Sequence, residues 1–244
     1  MASYYSGAGD GYCDNYTGAG WDAVHDRTTC NEAFYNDTYI AFDYHLAEIT
    51  RLFFPIDTSG IDDSINIVSA NFYTFFDSTS RWGGVNNGTY WAVVVQTTQA
   101  SPTALVVNDY DNCGAIDNPT EGSSHIDLYL NPSSLGYISF PLTSTGLTWI
   151  KKTAGDPYTM LGLRTGYDVT DTPVTTAFGI YICLSNYPGQ TRDPYLDVRT
   201  GLYSRGDYST LPTGTDDLEN LFTANEYTQV ATDDSDRVEQ RGGA

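Results

Sequence analysis

Two aspartates at alternate positions ahead of a glycine, in Asp109-Tyr110-Asp111-Asn112-Cys113-Gly114, place carboxylates where a loop can wrap a hard cation. Calcium takes carboxylate, amide and carbonyl oxygens from such loops. The third acidic position and distal glutamate of an EF-hand are missing. Asp62-Asp63 and Asp233-Asp234-Ser235-Asp236 are the other acidic clusters, and for each cluster a solvated turn is the plain alternative. The 244 residues carry 31 Asp+Glu against 11 Lys+Arg, a formal net charge of −20. Self-repulsion of that size favours a structural cation, so Asp109 and Asp111 are the expected Ca²⁺ ligands.

Aromatic side chains on loops offer a second chemistry, stacking on sugar rings. Trp21 and Trp82 sit beside glycines and are the expected exposed pair, whereas Trp91 and Trp149 lie in apolar contexts that read as core. Interface or core packing is the alternative for all four, because Trp and Tyr bring large area at small entropic cost. Cys13 and Cys30 flank a short Gly/Asp-rich stretch. A disulfide there would close a loop for about 3 kcal/mol, and two buried thiols are the alternative. Cys113 and Cys183 read as buried thiols.

Catalytic patterns are absent: there is no Gly-x-Ser-x-Gly, no His-Glu-x-x-His, no P-loop and no Gly-x-Gly-x-x-Gly after a strand. His25, His45 and His125 are too dispersed in sequence to nominate a triad, and no Cys-x-x-Cys marks zinc. Glu48, between Ala47 and Ile49, is the acid expected to be part-buried, paired with Arg51 or Arg81. The expectation is a protein that is not an enzyme. The acidic balance also argues against a nucleic-acid surface, which needs clustered Lys and Arg. No apolar run approaches the length of a membrane span, and the first residues lack the basic and apolar regions of a signal peptide.

The elements that must position these groups are strands. Tyr, Thr, Val, Ile and Phe recur in short runs split by Gly, Asp, Asn and Ser turns. Strands are predicted over 38–44, 49–56, 65–75, 90–97, 125–130, 137–142, 159–165, 178–184 and 195–199. The alternation over 65–75 slips near Val68, which marks a bulge, and Asn87-Gly88 is a hairpin-type turn. Helical turns are predicted at Ser101–Leu105, with Ser as cap and Pro first, at Ser144–Lys151, and at Asp216–Phe222. The last carries Leu218, Leu221 and Phe222 on one apolar face. The predicted fold is all-β, a jelly-roll-like antiparallel β-sandwich over 1–200, with a C-terminal arm over 201–244 carrying a short helix. Leu218, Leu221 and Phe222 are the expected assembly contacts of that arm, whose alternative is a fold-back or the start of a further domain.

Asp10-Gly11-Tyr12, Trp21-Asp22-Ala23-Val24, the run Arg51 to Ile61, Ile67-Val68-Ser69-Ala70-Asn71-Phe72 and Asp193-Pro194-Tyr195-Leu196-Asp197-Val198 together resemble β-sandwich domains of the DNRLRE type. The likeness covers about residues 10 to 200; the motif that names the family is missing and Pro55 departs from its pattern. The resemblance implies a structural or adhesive role of the kind found in bacterial surface proteins and tailed-phage structural proteins, with Ca²⁺ as its structural ion. The expectation is therefore a virion or extracellular-surface subunit, a decoration, fibre or tail protein that self-associates or binds other virion subunits, without nucleic acid or membrane insertion. The alternative is a carbohydrate-binding module using Trp21 and Trp82.

Overall fold

A computed structural model describes residues 2–17, 20–35, 39–45, 48–83, 90–128, 136–152, 156–173, 178–186 and 188–201. Apart from Gly201 the expected arm, with Leu218, Leu221 and Phe222, lies outside them, as do the Asn87-Gly88 turn and the side chain of Trp82. In chain order the elements are β1 (Ala2–Tyr5), β2 (Gly11–Tyr16), α1 (Asp22–His25), β3 (Glu32–Tyr35), β4 (Tyr39–His45), β5 (Glu48–Asp57), β6 (Asn66–Gly83) and β7 (Trp91–Gln96). A 3₁₀ turn (Val107–Asn112) follows, then β8 (Ile126–Asp127), β9 (Gly136–Pro141), α2 (Ser144–Leu147), β10 (Tyr158–Thr165), α3 (Gly166–Val169), β11 (Phe178–Cys183) and β12 (Tyr195–Gly201).

The fold is an all-β antiparallel sandwich. In one layer the long β6 is flanked by β12 and then β11 along one side and by β9 along the other, with β1 outside β12. The second layer runs β3-β2-β5-β10-β7-β8. Hydrogen bonding passes between layers where β4, paired with β11, meets β5 at Tyr44↔Ile49 and His45↔Glu48. Period-two alternation determines what each layer turns inward. Leu52, Phe54 and Ile56 of β5 face Phe72 of β6, Phe140 of β9 and Leu196 of β12 in the main core, and the Phe54 and Phe72 rings meet at 5.1 Å.

The second layer is buried on both faces, which accounts for the nearly unbroken burial of β5. Its outer face carries Cys13, Phe53, Val93 and Val95, covered by Cys30, Leu105, Tyr110, Cys113 and Val169. The 3₁₀ turn and its flanking loops thus form a lid over this face. Gly162 of β10 lets the lid approach, because a Cβ there would stand 2.7 Å from Cys113 Sγ and 2.7 Å from the Leu52 carbonyl.

The bulge at Val68 is present: Arg199 pairs with Ser69 and Thr200 with Ile67, leaving Val68 as the extra residue of β6. The helical turn at Ser144 is also present, capped by the Thr143 hydroxyl accepting from the Gly146 N–H. Two expectations are corrected. Ser101–Leu105 is no helix; Ser101 Oγ accepts from the Thr103 N–H in a local turn, and the helical geometry begins at Val107. The sequence pattern predicts no strand over β1, β2 or β3, because none of these short segments contains a Val, Ile or Thr; pairing of β1 with β12, of β2 with β5 and of β3 with β2 makes them strands.

Candidate functional site

The polar centre under the lid is built from two neighbouring strands and a helical turn. Leu163 pairs with Leu52, so Arg164 of β10 and Arg51 of β5 project side by side from the same outer face. Both arginines are fully buried. Asp168 of α3, placed by the Thr165 hydroxyl at the head of that turn, enters between them. Arg51 donates through Nε to Asp168 Oδ2 at 3.0 Å and through Nη2 to Oδ1 at 2.7 Å. Arg164 donates through Nε to Oδ2 at 2.6 Å and through Nη2 to Oδ1 at 2.8 Å. Two planar forks on one carboxylate are the strong geometry for such pairs.

Burial alone would raise the Asp168 carboxyl, but the guanidiniums of Arg164 and Arg51 overturn it and hold the group far below the usual carboxylate range. The remaining guanidinium donors reach the Tyr110, His25, Cys113, Ala115 and Ile116 carbonyls. Arg51 also lies 4.0 Å over the Tyr110 ring. The clasp therefore ties the lid and α1 to the sandwich. With its donors and acceptors mutually engaged, it is suited to hold structure and not to move protons. Arg51 is spent on Asp168, which corrects one of the two partners expected for Glu48; the side chain of the other, Arg81, lies outside the described residues.

Beside the clasp lies His25, the last residue of α1 and fully buried. The helical turn is anchored through the Val24 carbonyl, which accepts from Asn15 Nδ2 at 2.7 Å and from the Tyr110 hydroxyl at 3.0 Å. His25 Nε2 stands 2.9 Å from the Asp168 carbonyl oxygen. His25 Nδ1 faces three carboxylates, with Asp26 Oδ1 at 2.7 Å, Asp171 Oδ1 at 3.3 Å and Asp117 Oδ1 at 3.9 Å. All three acids are exposed, so the buried ring looks out through an acidic opening. Among the described residues, His25, Asp26 and Asp171 form the one group whose ligand atoms converge closely enough to share a metal ion.

Trp21 belongs to this cluster, and its expected exposure is corrected. It is 7% exposed, its ring stacks on His25 at 5.7 Å, and its Nε1–H donates to Asp171 Oδ1 at 2.8 Å. An indole so placed offers no free face to a sugar. Trp149 is core as expected, and Trp91 is half-buried, stacked on His125.

Asp109 and Asp111 do not come together as ligands of a common cluster of three or more among the described residues. Asp109 is buried, and its carboxylate accepts from the Ala100 N–H at 3.0 Å, the Val106 N–H at 2.9 Å and Asn112 Nδ2 at 3.2 Å. Most of its lone-pair capacity is thus used to fasten the lid. Cys13 and Cys30 meet as expected, but as thiols and not as a disulfide. Their mutual hydrogen bond, with burial behind it, raises Cys13, while the same bond lowers Cys30. Cys113 and Cys183 are buried and unbridged, and burial pushes the Cys113 thiol up to about 12.

Another buried acid, Asp10, sits in the turn before β2. Ser185 donates to it twice, from N–H to Oδ2 and from Oγ to Oδ1, both at 2.8 Å. Burial outweighs these bonds, and with the like charge of Asp193 it raises the Asp10 carboxyl to about 7. Asp193 is itself raised to about 6 by burial.

Sequence reasoning missed Asp168, Arg164, His25, Asp26 and Asp171 as a constellation. No spacing motif announces it, because its members lie on or just after α1, β10 and α3. The available signal was the Trp-Asp-Ala-Val-His-Asp run at 21–26, which sets a histidine beside an aspartate one helical turn after a tryptophan. The chain matches no protein-family model and no curated protein.

Proposed function

We propose that this chain is a non-catalytic structural subunit of an extracellular assembly, in the manner of a virion decoration, fibre or tail protein. The observation that carries this reading is an aromatic cluster on the outer face of the first layer. Tyr73 of β6 and Tyr195 of β12 stack at 4.6 Å with an 11° interplanar angle. Tyr137 of β9 meets Tyr195 edge-on at 5.1 Å, and Tyr5 of β1 lies 5.5 Å from Tyr195. These positions alternate with the core residues Phe72, Ile138 and Leu196, so they project away from the core. Tyrosine brings large, rigid, amphipathic area and is enriched where proteins meet. The saturated clasp supports the same reading, since it stiffens a scaffold and leaves its own groups engaged.

Native mass spectrometry of the full chain tests this. The expected result is an oligomer, or capture on a larger particle, that weakens when Tyr73 and Tyr195 are both replaced by Ser. A strict monomer that joins no particle overturns the reading. A glycan-array signal that disappears in the same double variant would instead move the chain to the carbohydrate-binding class.

A further inference from the structure

We infer that His25, Asp26 and Asp171 form a binding site for a divalent first-row transition-metal ion such as Zn²⁺ or Mn²⁺, with Asp117 as an additional ligand. The inference does not depend on the assembly role. It begins from the hydrogen-bond valence of the buried ring. Nε2 lies 2.9 Å from a backbone carbonyl and Nδ1 lies 2.7 Å from a carboxylate oxygen, so both nitrogens face acceptors. A neutral imidazole carries one N–H. With that proton on Nε2, where the Asp168 carbonyl receives it, the Nδ1 lone pair points at three carboxylates. A cation among them turns this repulsion into coordination.

The supporting contacts are those that metal-ligating groups require. A ligating His usually donates its other N–H to a carbonyl or carboxylate, which determines the tautomer and aims the ring. Here the receiving carbonyl belongs to Asp168, itself locked by Arg51 and Arg164. Asp171 is oriented in turn by the Trp21 indole N–H at 2.8 Å, and Trp21 stacks on the ring. Ligand atoms at zinc-like bond lengths of about 2.1 Å sit about 3.0–3.5 Å from one another. The Nδ1 to Asp171 separation of 3.3 Å falls within this span, the 2.7 Å to Asp26 is a few tenths short, and the 3.9 Å to Asp117 is long.

Ligand chemistry selects the metal class. Imidazole nitrogen suits zinc and its first-row neighbours, while Ca²⁺ and Mg²⁺ take oxygen. The buried nitrogen supplies the selectivity. The exposed acids supply charge and a solvent route, in a chain whose net charge of −20 already attracts cations.

The test is equilibrium dialysis of the full chain against Zn²⁺ and, separately, Mn²⁺, with metal content and melting temperature as readouts. Wild type should retain about one equivalent of Zn²⁺ and melt higher with it. Asp26→Asn and Asp171→Asn change exposed side chains and should preserve the fold, yet each should weaken binding by roughly tenfold or more. In the ¹⁵N spectrum the His25 Nδ1 resonance should move on adding Zn²⁺. Failure of wild type to bind either ion would overturn the site, and an N–H on both His25 nitrogens in the same spectrum would show that an imidazolium satisfies the geometry alone. So would zinc binding that survives both Asp variants but is lost in Cys13→Ser, which would place the ion on the thiols. Preference for Ca²⁺ over Zn²⁺ would overturn the metal class.

Discussion

Asp168 and Asp10 are both buried carboxylates in the same sandwich, and their environments drive them in opposite directions. Asp168 receives two bidentate guanidiniums and is held ionised. Asp10 receives two donors from one serine, has a like charge in Asp193 nearby, and is raised to about 7. Hydrogen bonds are present at both sites, so they do not make the difference. What differs is whether strand register delivers a cation. Desolvation disfavours the charged form, and a neighbouring opposite charge is what reverses it.

The largest effect expected from this contrast is at the clasp. Asp168→Ala leaves two buried guanidiniums uncompensated, and breaking a buried pair by removing one partner costs about 3–5 kcal/mol. Urea unfolding should show the midpoint collapse, and a loss below about 1 kcal/mol would mean that the clasp is not the structural centre. Asp10→Asn should act in the opposite sense. A folded carboxyl raised to about 7 from 3.8 contributes stability that is full below pH 4 and lost as pH rises through 7. The shift corresponds to at most about 4 kcal/mol, so the amide should stabilise the protein at pH 8 and flatten its pH profile between 4 and 7. Asp168 has the reverse sign, because its stabilisation holds above pH 4 and falls away in acid. An Asp10→Asn protein with an unchanged profile would place the pH dependence elsewhere.

Two glycine substitutions sharpen the comparison without touching a charge. Gly162→Ala forces a Cβ against Cys113 Sγ and the Leu52 carbonyl, lifting the lid from the arginine face, and overpacking of this kind costs about 1–3 kcal/mol. Gly7 accepts the Ser185 hydroxyl through its carbonyl in the Asp10 corner, where a Cβ would meet only the Pro55 carbonyl at 3.9 Å. Gly7→Ala should therefore change stability by no more than about 0.5 kcal/mol. Chemical denaturation of the two variants side by side checks the ranking, and equal losses would show that the lid is no more tightly packed than the corner.

The legible part of the fold was the part encoded locally. The run 65–75 announced both a strand and its slip at Val68, because alternation and its interruption occur within one segment. The run 178–184 is predicted as a strand, and β11 lies there with Ile180 and Ile182 in the core. Trp21 was misread for the same reason. A glycine neighbour says that the chain bends there, not that the ring is wet, and contact with His25 and Asp171 buries it.

By itself the sequence determined the class of this protein. Period-two patterning and β-branched and aromatic residues between turn formers specify an antiparallel sandwich, since these are short-range steric and hydrophobic preferences. Tertiary structure alone decided the partners of the charged residues. Arg51 and Asp168 are 117 positions apart, and His25 and Asp168 are 143 apart. A long-range ion pair depends on strand register and on which face each residue presents; a slip of one residue would turn Arg51 into the apolar core and Leu52 out toward Asp168. The sign of a buried aspartate's shift is therefore a property of the assembled sheet.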